Sequence, residues 1–452
     1  MLPTARRLVA SFPHLETPSQ GTGPQGAGGG KRWITIDDVI LHNYAKVKSV
    51  PPHSLSCIPF SLSLRDYQEK AVSSATSSGV IEVGCGLGKT FIGGDIIRRF
   101  GWKAVVVCQH SMGVEQWVSH FQDMGMTNVA TCHTTMHPDM IFPDVVVVTY
   151  QSVCRNAAAM QSHMTTGTQT EGRSLLLYML HVFPIGCLIL DEVHIAVADI
   201  FRLACCINHK LVFGLSGSLI REDDRLDRLF RYVGPVLYRY FVDRKICYRI
   251  CRVAMCEETK TLVSNTKSGS SLRRCLLACH PNKIAALRMI LKEGENCIVF
   301  CESPKACKYI HQMFPGSLLM TGFENEEEKN EAIQTFNDSE GQGILFCTKV
   351  CDSGINIKNG TTVVQLFSAS GSRQQEMQRV GRGARDCHSS CSMVYIVNME
   401  TKEGEYMEKR IAFVRSQTQN TVEVVRDRVF PVQFADEDKI AFRKFLEMKI
   451  KL

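Results

Sequence analysis

The chain contains no apolar stretch that reaches the length of about 20 residues that a membrane-spanning helix needs. We therefore expect no membrane partner, while a hydrophobic content of 44% is enough for real cores. No CxxC pair occurs among its 20 cysteines, which are predicted to be free core thiols of a protein from a reducing compartment. A zinc site is disfavoured because the ligand spacings do not match known pairs. Its candidate ligands would be Cys247, Cys251, Cys256, Cys275 and Cys279.

The N-terminal segment has no acidic residue before Glu16, but it includes Arg6 and Arg7. This composition resembles a mitochondrial transit segment, and an ordinary flexible tail is the alternative that we favour. Residues 17–30 (TPSQGTGPQGAGGG) are of low complexity, which is typical of a disordered linker. We expect residues 1–30 to form a disordered tail and residues 31–63 to form a small N-terminal appendage.

A glycine-rich loop, GCGLGKT, lies between a short β-rich run and a predicted helix. Its glycines allow the backbone to wrap around phosphate oxygens, and the helix N-terminus adds partial positive charge. Lys89 is expected to reach the β- and γ-phosphates of a nucleotide, and Thr90 to ligate Mg²⁺. The strict pattern has glycine at position 83, where this chain has valine, so a simple Gly-rich turn is the alternative. The expected nucleotide-binding set is Gly84, Cys85, Gly86, Leu87, Gly88, Lys89 and Thr90.

An acidic pair ends the nearly continuous apolar run PIGCLIL, which predicts a buried parallel strand. Two carboxylates at the end of such a strand are costly unless a cation lies nearby. We expect Asp191 to hold Mg²⁺, directly or through water, and Glu192 to orient or deprotonate the attacking water. The alternative is an ordinary acidic turn. His194 either couples the ATP state to the neighbouring loops or caps a helix.

The element QRVGRGAR carries Arg379, Arg382 and Arg385. Guanidinium groups stay charged and fit phosphate oxygens in a bidentate way. Because Arg382 and Arg385 are three apart on a predicted helix, they share one face and are candidates for arginine fingers on the γ-phosphate. A solvated basic helix face is the alternative. The three elements together indicate a motor in which nucleotide hydrolysis closes a cleft between two lobes.

Short apolar strands alternate with helical patterns in two parts of the chain, which predicts parallel sheets with right-handed crossovers. The fold class is therefore α/β, with two tandem parallel-sheet domains, an ATP cleft between them and a short N-terminal tail. The functional motifs would lie at the carboxyl ends of the strands. We expect an ATP-binding domain at 64–234, a connector or insertion at 235–280, a second domain at 281–430 and a C-terminal tail or helix at 431–452.

With these motifs the chain resembles superfamily 2 helicases, and more narrowly the XPB-type DNA translocases and helicases. The resemblance covers roughly residues 62–425. It rests on the three elements above and on LRDYQEKAV, HSMGVEQW, VTYQS, GLSGSLIREDD, CIVFCES, FCTKVCDSGINI and GSRQQEMQRVGRGAR. Among these, VEQW, REDD and GSRQQE are more selective than the general superfamily signals.

The resemblance implies two RecA-like domains and an ATP-dependent DEVH-box motor that moves 3′ to 5′ on DNA in repair or transcription, with protein partners. It implies that Gln68 contacts the adenine edge with Arg65 nearby, and that Gly354 lies in the motif that touches the ATP ribose. The motor would hold mainly the sugar–phosphate track of the nucleic acid. The candidate contacts are Gln109, Ser111, Gln116, Thr149, Arg221, Thr348 and Lys349. Trp117 either stacks on a base or, as is commoner for this spacing, belongs to the core.

The chain departs from the family pattern at two places. Ser216-Gly217-Ser218 stands where the family usually carries Thr-Ala-Thr, and we expect Gly217 to add backbone freedom that affects coupling rather than ATP binding. Only about 60 residues precede the motor, which is short for the N-terminal DNA-engaging region of the full XPB type. We therefore expect any recognition of damaged DNA to come from a partner protein.

Two other functions stay open on the sequence. An RNA-directed superfamily 2 ATPase is disfavoured by the combination of VEQW and REDD. A non-catalytic architectural subunit of a DNA-processing complex is disfavoured because Lys89, Asp191, Glu192, Arg382 and Arg385 are all intact. A net charge of +7 suits a polyanion partner but does not identify one. The resemblance implies a nuclear protein, with a mitochondrial location or a viral context as alternatives.

Overall fold

A computed structural model describes most of the chain between residues 52 and 426. The described residues are 52–57, 59–134, 141–155, 176, 180, 183–198, 201–219, 226–291, 295–339, 341–352, 362–383, 390–398, 400–417 and 420–426. The predicted tail 1–30, most of the predicted appendage 31–63 and the C-terminal segment 431–452 lie outside them. So do three predicted site residues, Arg221, Gly354 and Arg385.

The chain divides into two compact units by its contacts. The first unit comprises Met1–Ile81, Thr90–Leu215 and Arg225–Tyr238, and the second comprises Glu82–Lys89, Ser216–Asp224 and Arg239–Leu452. The described residues form two seven-stranded sheets with helices between the strands, as expected for the predicted α/β class.

The first sheet has the strand order β3-β4-β2-β5-β6-β1-β7. Its strands are β1 Gly79–Val83, β2 Ala104–Cys108, β3 Val129–Thr131, β4 Val145–Thr149, β5 Ile185–Asp191, β6 His209–Ser216 and β7 Val236–Tyr240. The pairs β3–β4, β4–β2, β2–β5 and β5–β6 are parallel. The central strands are apolar and rich in valine and other β-branched residues because both faces of such a sheet are covered.

Helices α1 Asp66–Ser74, α2 Lys89–Phe100, α3 Ser111–Asp123 and α4 Leu226–Tyr232 accompany this sheet, with 3₁₀ turns at Val193–Ile195 and Phe201–Cys206. Two adjacent glycines let α3 approach α2 closely. A Cβ atom built on Gly93 would lie 2.5 Å from the Trp117 ring, and one built on Gly94 would lie 2.5 Å from His120 Nε2. The contact between α2 and α3 therefore depends on the absence of side chains at both positions.

The second sheet has the order β10-β11-β9-β12-β13-β8-β14. Its strands are β8 Arg244–Val253, β9 Cys297–Cys301, β10 Leu318–Met320, β11 Ile344–Cys347, β12 Thr362–Phe367, β13 Cys391–Asn398 and β14 Asn420–Arg426. Each pair of neighbours is parallel. Its helices are α5 Glu257–Ser264, α6 Ser271–Ala278, α7 Pro281–Leu291, α8 Pro304–His311, α9 Glu326–Asp338, α10 Arg373–Gly383 and α11 Glu403–Ser416, with a 3₁₀ turn at Lys349–Asp352.

The segment predicted as a connector, 235–280, contributes strands to both sheets. β7 is the outer strand of the first sheet, and β8 lies between β13 and β14 in the second. The second sheet therefore begins at Arg244 rather than near Pro281. The sequence of β8 is RKICYRICRV, and its buried residues lie mainly at alternate positions. Charged residues between them interrupt the apolar run, so the sequence does not show the continuous apolar pattern that predicts a buried strand.

Three of the five cysteines of this segment belong to an apolar core, whereas Cys247 and Cys256 are half-buried. Cys251, Cys275 and Cys279 pack with Val253, Leu276 and other apolar residues. Among the described residues no group of three or more His, Cys, Asp or Glu side chains is arranged to hold a metal ion. In the same part of the chain, no helix combines the length and the apolar character that a membrane crossing requires.

One buried ion pair ties three elements of the second unit together. Lys283 of α7 donates to both carboxylate oxygens of Glu403 on α11 at 2.7 Å, and to the carbonyl oxygen of Leu366 on β12 at 2.9 Å. The side chains of Lys283 and Glu403 are 0% and 6% exposed. Burial raises the pKa of the Glu403 carboxyl, although the ammonium beside it acts in the opposite direction.

The substitution Lys283→Met should lower the free energy of unfolding by about 3–5 kcal/mol, because it leaves the buried Glu403 carboxylate without its cation. Equilibrium urea unfolding followed by circular dichroism would measure the loss. Lys260→Met is the matched control, since Lys260 pairs with Glu257 and Glu400 at the surface and should cost less than about 1 kcal/mol. Equal losses in the two variants would contradict the assigned role of the buried pair.

Candidate functional site

The parallel strands of the first sheet bring several predicted residues to one edge. Gln109 follows β2, Thr149 ends β4 and Asp191 ends β5. Since β4, β2 and β5 are neighbours and run in the same direction, their carboxyl ends lie side by side. Residues that are far apart in the sequence are therefore collected where ligands bind in such sheets.

The glycine-rich loop connects β1 to α2, and Lys89 and Thr90 are the first two residues of that helix. Gly86 and Gly88 have φ angles of +80° and +79°, which glycine adopts without steric cost. The Leu87 amide donates to the Gly84 carbonyl oxygen at 3.2 Å and closes the turn. These residues fit a nucleotide phosphate, because the loop leads directly into the N-terminus of α2. The first N–H groups of a helix have no partner within the helix, and they carry a partial positive charge that favours an anion.

Gly217 has a steric role in the structure, and the backbone freedom expected from the sequence stays a prediction. Its φ angle is not in the left-handed region. A Cβ atom at this position would lie 2.5 Å from the Cys85 thiol and 3.2 Å from the Lys89 ammonium. The missing side chain therefore makes room for the phosphate loop. Beside it, the Ser216 hydroxyl donates to the Ser218 carbonyl oxygen at 2.7 Å and so holds this turn in shape.

The Asp191 carboxylate is oriented by two N–H donors. Its Oδ2 accepts from the indole Nε1 of Trp117 at 3.1 Å, and its Oδ1 accepts from the Glu192 amide at 3.0 Å. Trp117 is 1% exposed, so it belongs to the core and is not a base-stacking residue. The Tyr150 hydroxyl also donates to the Asp191 carbonyl oxygen at 3.0 Å. Sequence reasoning found Trp117 but missed this contact, because the two residues are 74 positions apart.

Glu192 has a strained backbone. Its φ angle is +46°, and it is the one non-glycine residue with positive φ in the part of the chain that the structure describes. Such conformations cost free energy and concentrate at functional sites. Its Oε2 lies 3.5 Å from Nδ1 of His194, which is buried in the 3₁₀ turn that follows. His194 therefore contacts the candidate catalytic carboxylate, and Glu192 rather than His194 is the cap of that turn.

The predicted adenine-reading segment forms the start of α1. Gln68 is buried, and its Oε1 accepts from the Arg65 amide at 2.9 Å, while Arg65 itself is exposed. Ion pairs attach this helix to the phosphate-loop helix, because Arg99 of α2 contacts Glu69 of α1 as well as Asp95 of its own helix. The segment thus has a fixed position relative to α2.

The predicted nucleic-acid contacts differ in their accessibility. Ser111 and Gln116 are exposed on α3 and Gln109 is half-buried. Thr149 is half-buried, and its hydroxyl is hydrogen-bonded to that of Ser152 at 2.8 Å. In the second unit, Thr348 is buried after β11, and the Lys349 side chain is 53% exposed at the start of the 3₁₀ turn.

The arginines of α10 divide into a buried and an accessible position. Arg379 is fully buried and donates to both oxygens of Asp352, from Nε at 2.8 Å and from Nη2 at 3.2 Å. Arg382 is half-buried and donates from Nη2 to the Asp352 carbonyl oxygen at 3.1 Å. Burial raises the pKa of the Asp352 carboxyl, while Arg379 opposes that shift. Arg379 therefore fixes α10 against the 3₁₀ turn. Since Arg385 lies outside the described residues, the shared face of Arg382 and Arg385 stays a prediction.

Comparisons with known proteins agree with this architecture. The ERCC3/RAD25/XPB C-terminal helicase family matches residues 243–444, and the family of type III restriction enzyme res subunits matches residues 61–221. Dbp5 of S. cerevisiae, solved with RNA and ADP BeF3, has the same fold. The two structures superpose with a TM-score of 0.56 and are 15% identical in sequence. The matched region covers 90% of this chain and 96% of Dbp5.

Relatives in sequence are XPB helicase/translocase subunits of general transcription and DNA repair factor IIH. The subunit from Schizosaccharomyces pombe is 28% identical over 415 residues, which are 86% of this chain and 50% of that protein. The one from Encephalitozoon cuniculi is 27% identical over 416 residues, 86% of this chain and 60% of that protein. The chain thus spans about half of the first and somewhat more of the second. Over most of its length the chain is thus similar to the XPB-type helicase/translocase subunits, and its residues 243–444 match their C-terminal helicase family.

Proposed function

We propose that the chain is an ATP-driven DNA motor of XPB type. It hydrolyses ATP and uses the free energy to move 3′ to 5′ along DNA or to unwind it. The observation that carries the proposal is the first-unit sheet edge, where an oriented Asp191 ends β5 and a strained Glu192 follows it. The neighbouring strands end at or next to other motif residues. By analogy with the factor IIH subunits, we propose a nuclear location and protein partners in repair or transcription.

Each residue of the site has a proposed role. The loop amides and Lys89 hold the phosphates of ATP, and Thr90 and Asp191 hold Mg²⁺, which neutralises phosphate charge when bound. Glu192 orients the attacking water and accepts its proton, with His194 beside it. Arg382 and Arg385 stabilise the charge on the transferred phosphoryl group.

The remaining candidates bind the base, the ribose and the DNA track. Gln68 and Arg65 contact adenine, and Gly354 lies at the ribose. The residues proposed to hold the sugar–phosphate track are Gln109, Ser111, Gln116, Thr149, Arg221, Thr348 and Lys349. Short hydroxyl, amide and basic side chains of this kind hold the track without reading its sequence.

The proposal is tested by measuring ATP turnover without nucleic acid and with single-stranded DNA, duplex DNA or matched RNA. We expect DNA to stimulate turnover more than RNA. Glu192→Gln should lower the stimulated rate by about 10²–10⁴-fold, because it removes the base but keeps the size of the side chain. Glu408→Gln, a surface carboxylate paired with Arg426 at 2.7 Å, is the matched control and should keep the wild-type rate.

Other outcomes would favour the alternative functions. Stimulation by RNA alone would indicate an RNA-directed ATPase. Retained ATP binding without turnover under any of the four conditions would indicate an architectural subunit. In either case the proposed DNA motor would be wrong.

A second test concerns the residue that orients Asp191. Trp117→Phe keeps an apolar ring in the core but removes the N–H donor to Asp191 Oδ2. We expect the Mg²⁺ concentration for half-maximal ATP turnover to rise by about tenfold, since the loss of such supporting hydrogen bonds weakens metal sites by that order.

The matched control for this test is Trp102→Phe. Trp102 packs against Phe100 with 4.9 Å between the ring centroids and lies 5.2 Å from the Lys210 ammonium, so it makes contacts away from the acidic turn. Its Mg²⁺ requirement should equal that of the wild type. An unchanged requirement in Trp117→Phe would show that the indole contact does not support the metal site.

A further inference from the structure

A buried carboxylate follows β9 in the second unit and contacts three cationic side chains. Glu302 is 1% exposed, and its Oε2 accepts from the Ala369 amide at 3.0 Å. Its Oε1 lies 3.3 Å from Arg410 Nη2 and 3.5 Å from Arg379 Nη2, and its Oε2 lies 3.7 Å from Lys349 Nζ. Burial alone would raise the pKa of Glu302, but Arg379, Lys349 and Arg410 together hold it below the usual value. Glu302 is therefore ionised.

The three cations differ in their freedom to move. Arg379 and Arg410 are 0% exposed, whereas the side chain of Lys349 is 53% exposed. The distance of 3.7 Å between Lys349 and Glu302 is longer than the 2.7–2.9 Å or so of a charge-assisted hydrogen bond. Lys349 is thus weakly held and can turn to an anion in solvent, while the two arginines cannot leave the carboxylate.

These contacts join the 3₁₀ turn that begins with Lys349 to helix α10. Lys349 reaches Glu302, which contacts Arg379 of α10. Arg379 also holds Asp352, the last residue of the same turn, and Arg382 donates to the carbonyl oxygen of Asp352. One shared carboxylate, Glu302, thus connects Lys349 with the helix that carries Arg382.

We propose that Glu302 is a positioning residue that couples a Lys349 contact with nucleic-acid phosphate to the arginines of α10. The inference rests on the proposed function, because it needs ATP turnover that nucleic acid stimulates. When Lys349 turns to a phosphate, Glu302 loses one of its three cations, and its charge acts more strongly on Arg379 and Arg410. Arg379 is then drawn towards Glu302, and α10 settles into the arrangement in which Arg382 serves hydrolysis.

The test combines ATP turnover with binding of a fluorescent single-stranded DNA to wild type, Glu302→Gln, Lys349→Met and the double variant. Glu302→Gln should lower the ratio of DNA-stimulated to unstimulated turnover by about fivefold or more. It should also bind the DNA about two- to fivefold more tightly, because Lys349 no longer has a competing carboxylate. A purely structural role for Glu302 would not produce tighter binding together with weaker stimulation.

Lys349→Met tests the same coupling by removing the exposed cation of Glu302. It should weaken DNA binding, and it should also lower the stimulation at saturating DNA, where a simple DNA contact would affect only the DNA concentration required. The double variant should lose no more stimulation than either single variant, since all three break one chain of contacts. Additive losses would overturn the coupling.

Glu403→Gln is the matched control, because Glu403 is another buried carboxylate of the second unit and pairs with Lys283 instead. It should lower the midpoint of thermal unfolding about as much as Glu302→Gln does, with the stimulation ratio unchanged. Glu302→Asp keeps the charge and should recover part of the ratio. If Glu302→Gln does not fold, Lys349→Met at saturating DNA decides the question alone.

The outcomes separate this inference from the proposed function. If the wild type is stimulated but the ratio is unchanged in Glu302→Gln and in Lys349→Met, the coupling is wrong and the motor stands. If no nucleic acid stimulates the wild type, the proposed function fails, and the coupling fails with it.

Discussion

A carboxylate at the end of a buried strand needs hydrogen-bond donors or cations around it, and both units place such groups there. Asp191 ends β5 and accepts from the Trp117 indole and the Glu192 amide, which fix the direction of its oxygens. Glu302 follows β9 and is matched by Arg379, Arg410 and Lys349. The same position in a parallel sheet thus serves two purposes, because N–H groups orient a carboxylate for a ligand whereas guanidinium groups hold it in place.

A buried carboxylate in a helix of the second unit is satisfied by donors in the same way. Glu376 of α10 is fully buried and accepts from the Tyr248 hydroxyl at 2.8 Å and from the Tyr395 hydroxyl at 2.5 Å. These tyrosines lie on the neighbouring strands β8 and β13, so Glu376 attaches α10 to the sheet while Arg379 attaches it to the 3₁₀ turn. A helix fixed at both points by buried hydrogen bonds and ion pairs cannot shift without breaking them, which favours discrete arrangements over gradual movement.

The sequence predicts the strands that form continuous apolar runs and misses those that do not. β2, β4 and β5 are continuous apolar runs, and their apolar character alone identifies them. β3 has only three residues, and β14 alternates half-buried with exposed positions at the sheet edge, so neither forms such a run. Of the site, the phosphate loop and the acidic pair are local patterns, which the sequence alone displays. The contacts between Trp117 and Asp191 and between Glu302 and Arg379 join residues 74 and 77 positions apart, and only the tertiary fold brings them together.

The two described arginines of the third motif show why spacing alone does not assign a role. Arg379 and Arg382 are three apart on α10, and both donate to Asp352, one to its carboxylate and the other to its carbonyl oxygen. Arg379 lies 4.4 Å from the centroid of the Phe300 ring in a site without solvent, where a guanidinium has to be fully paired. Once Arg379 has fixed the helix, the direction of Arg382 follows from the helical geometry. A buried arginine therefore sets the position of an accessible one, and the motif needs both although only the accessible one can reach a ligand.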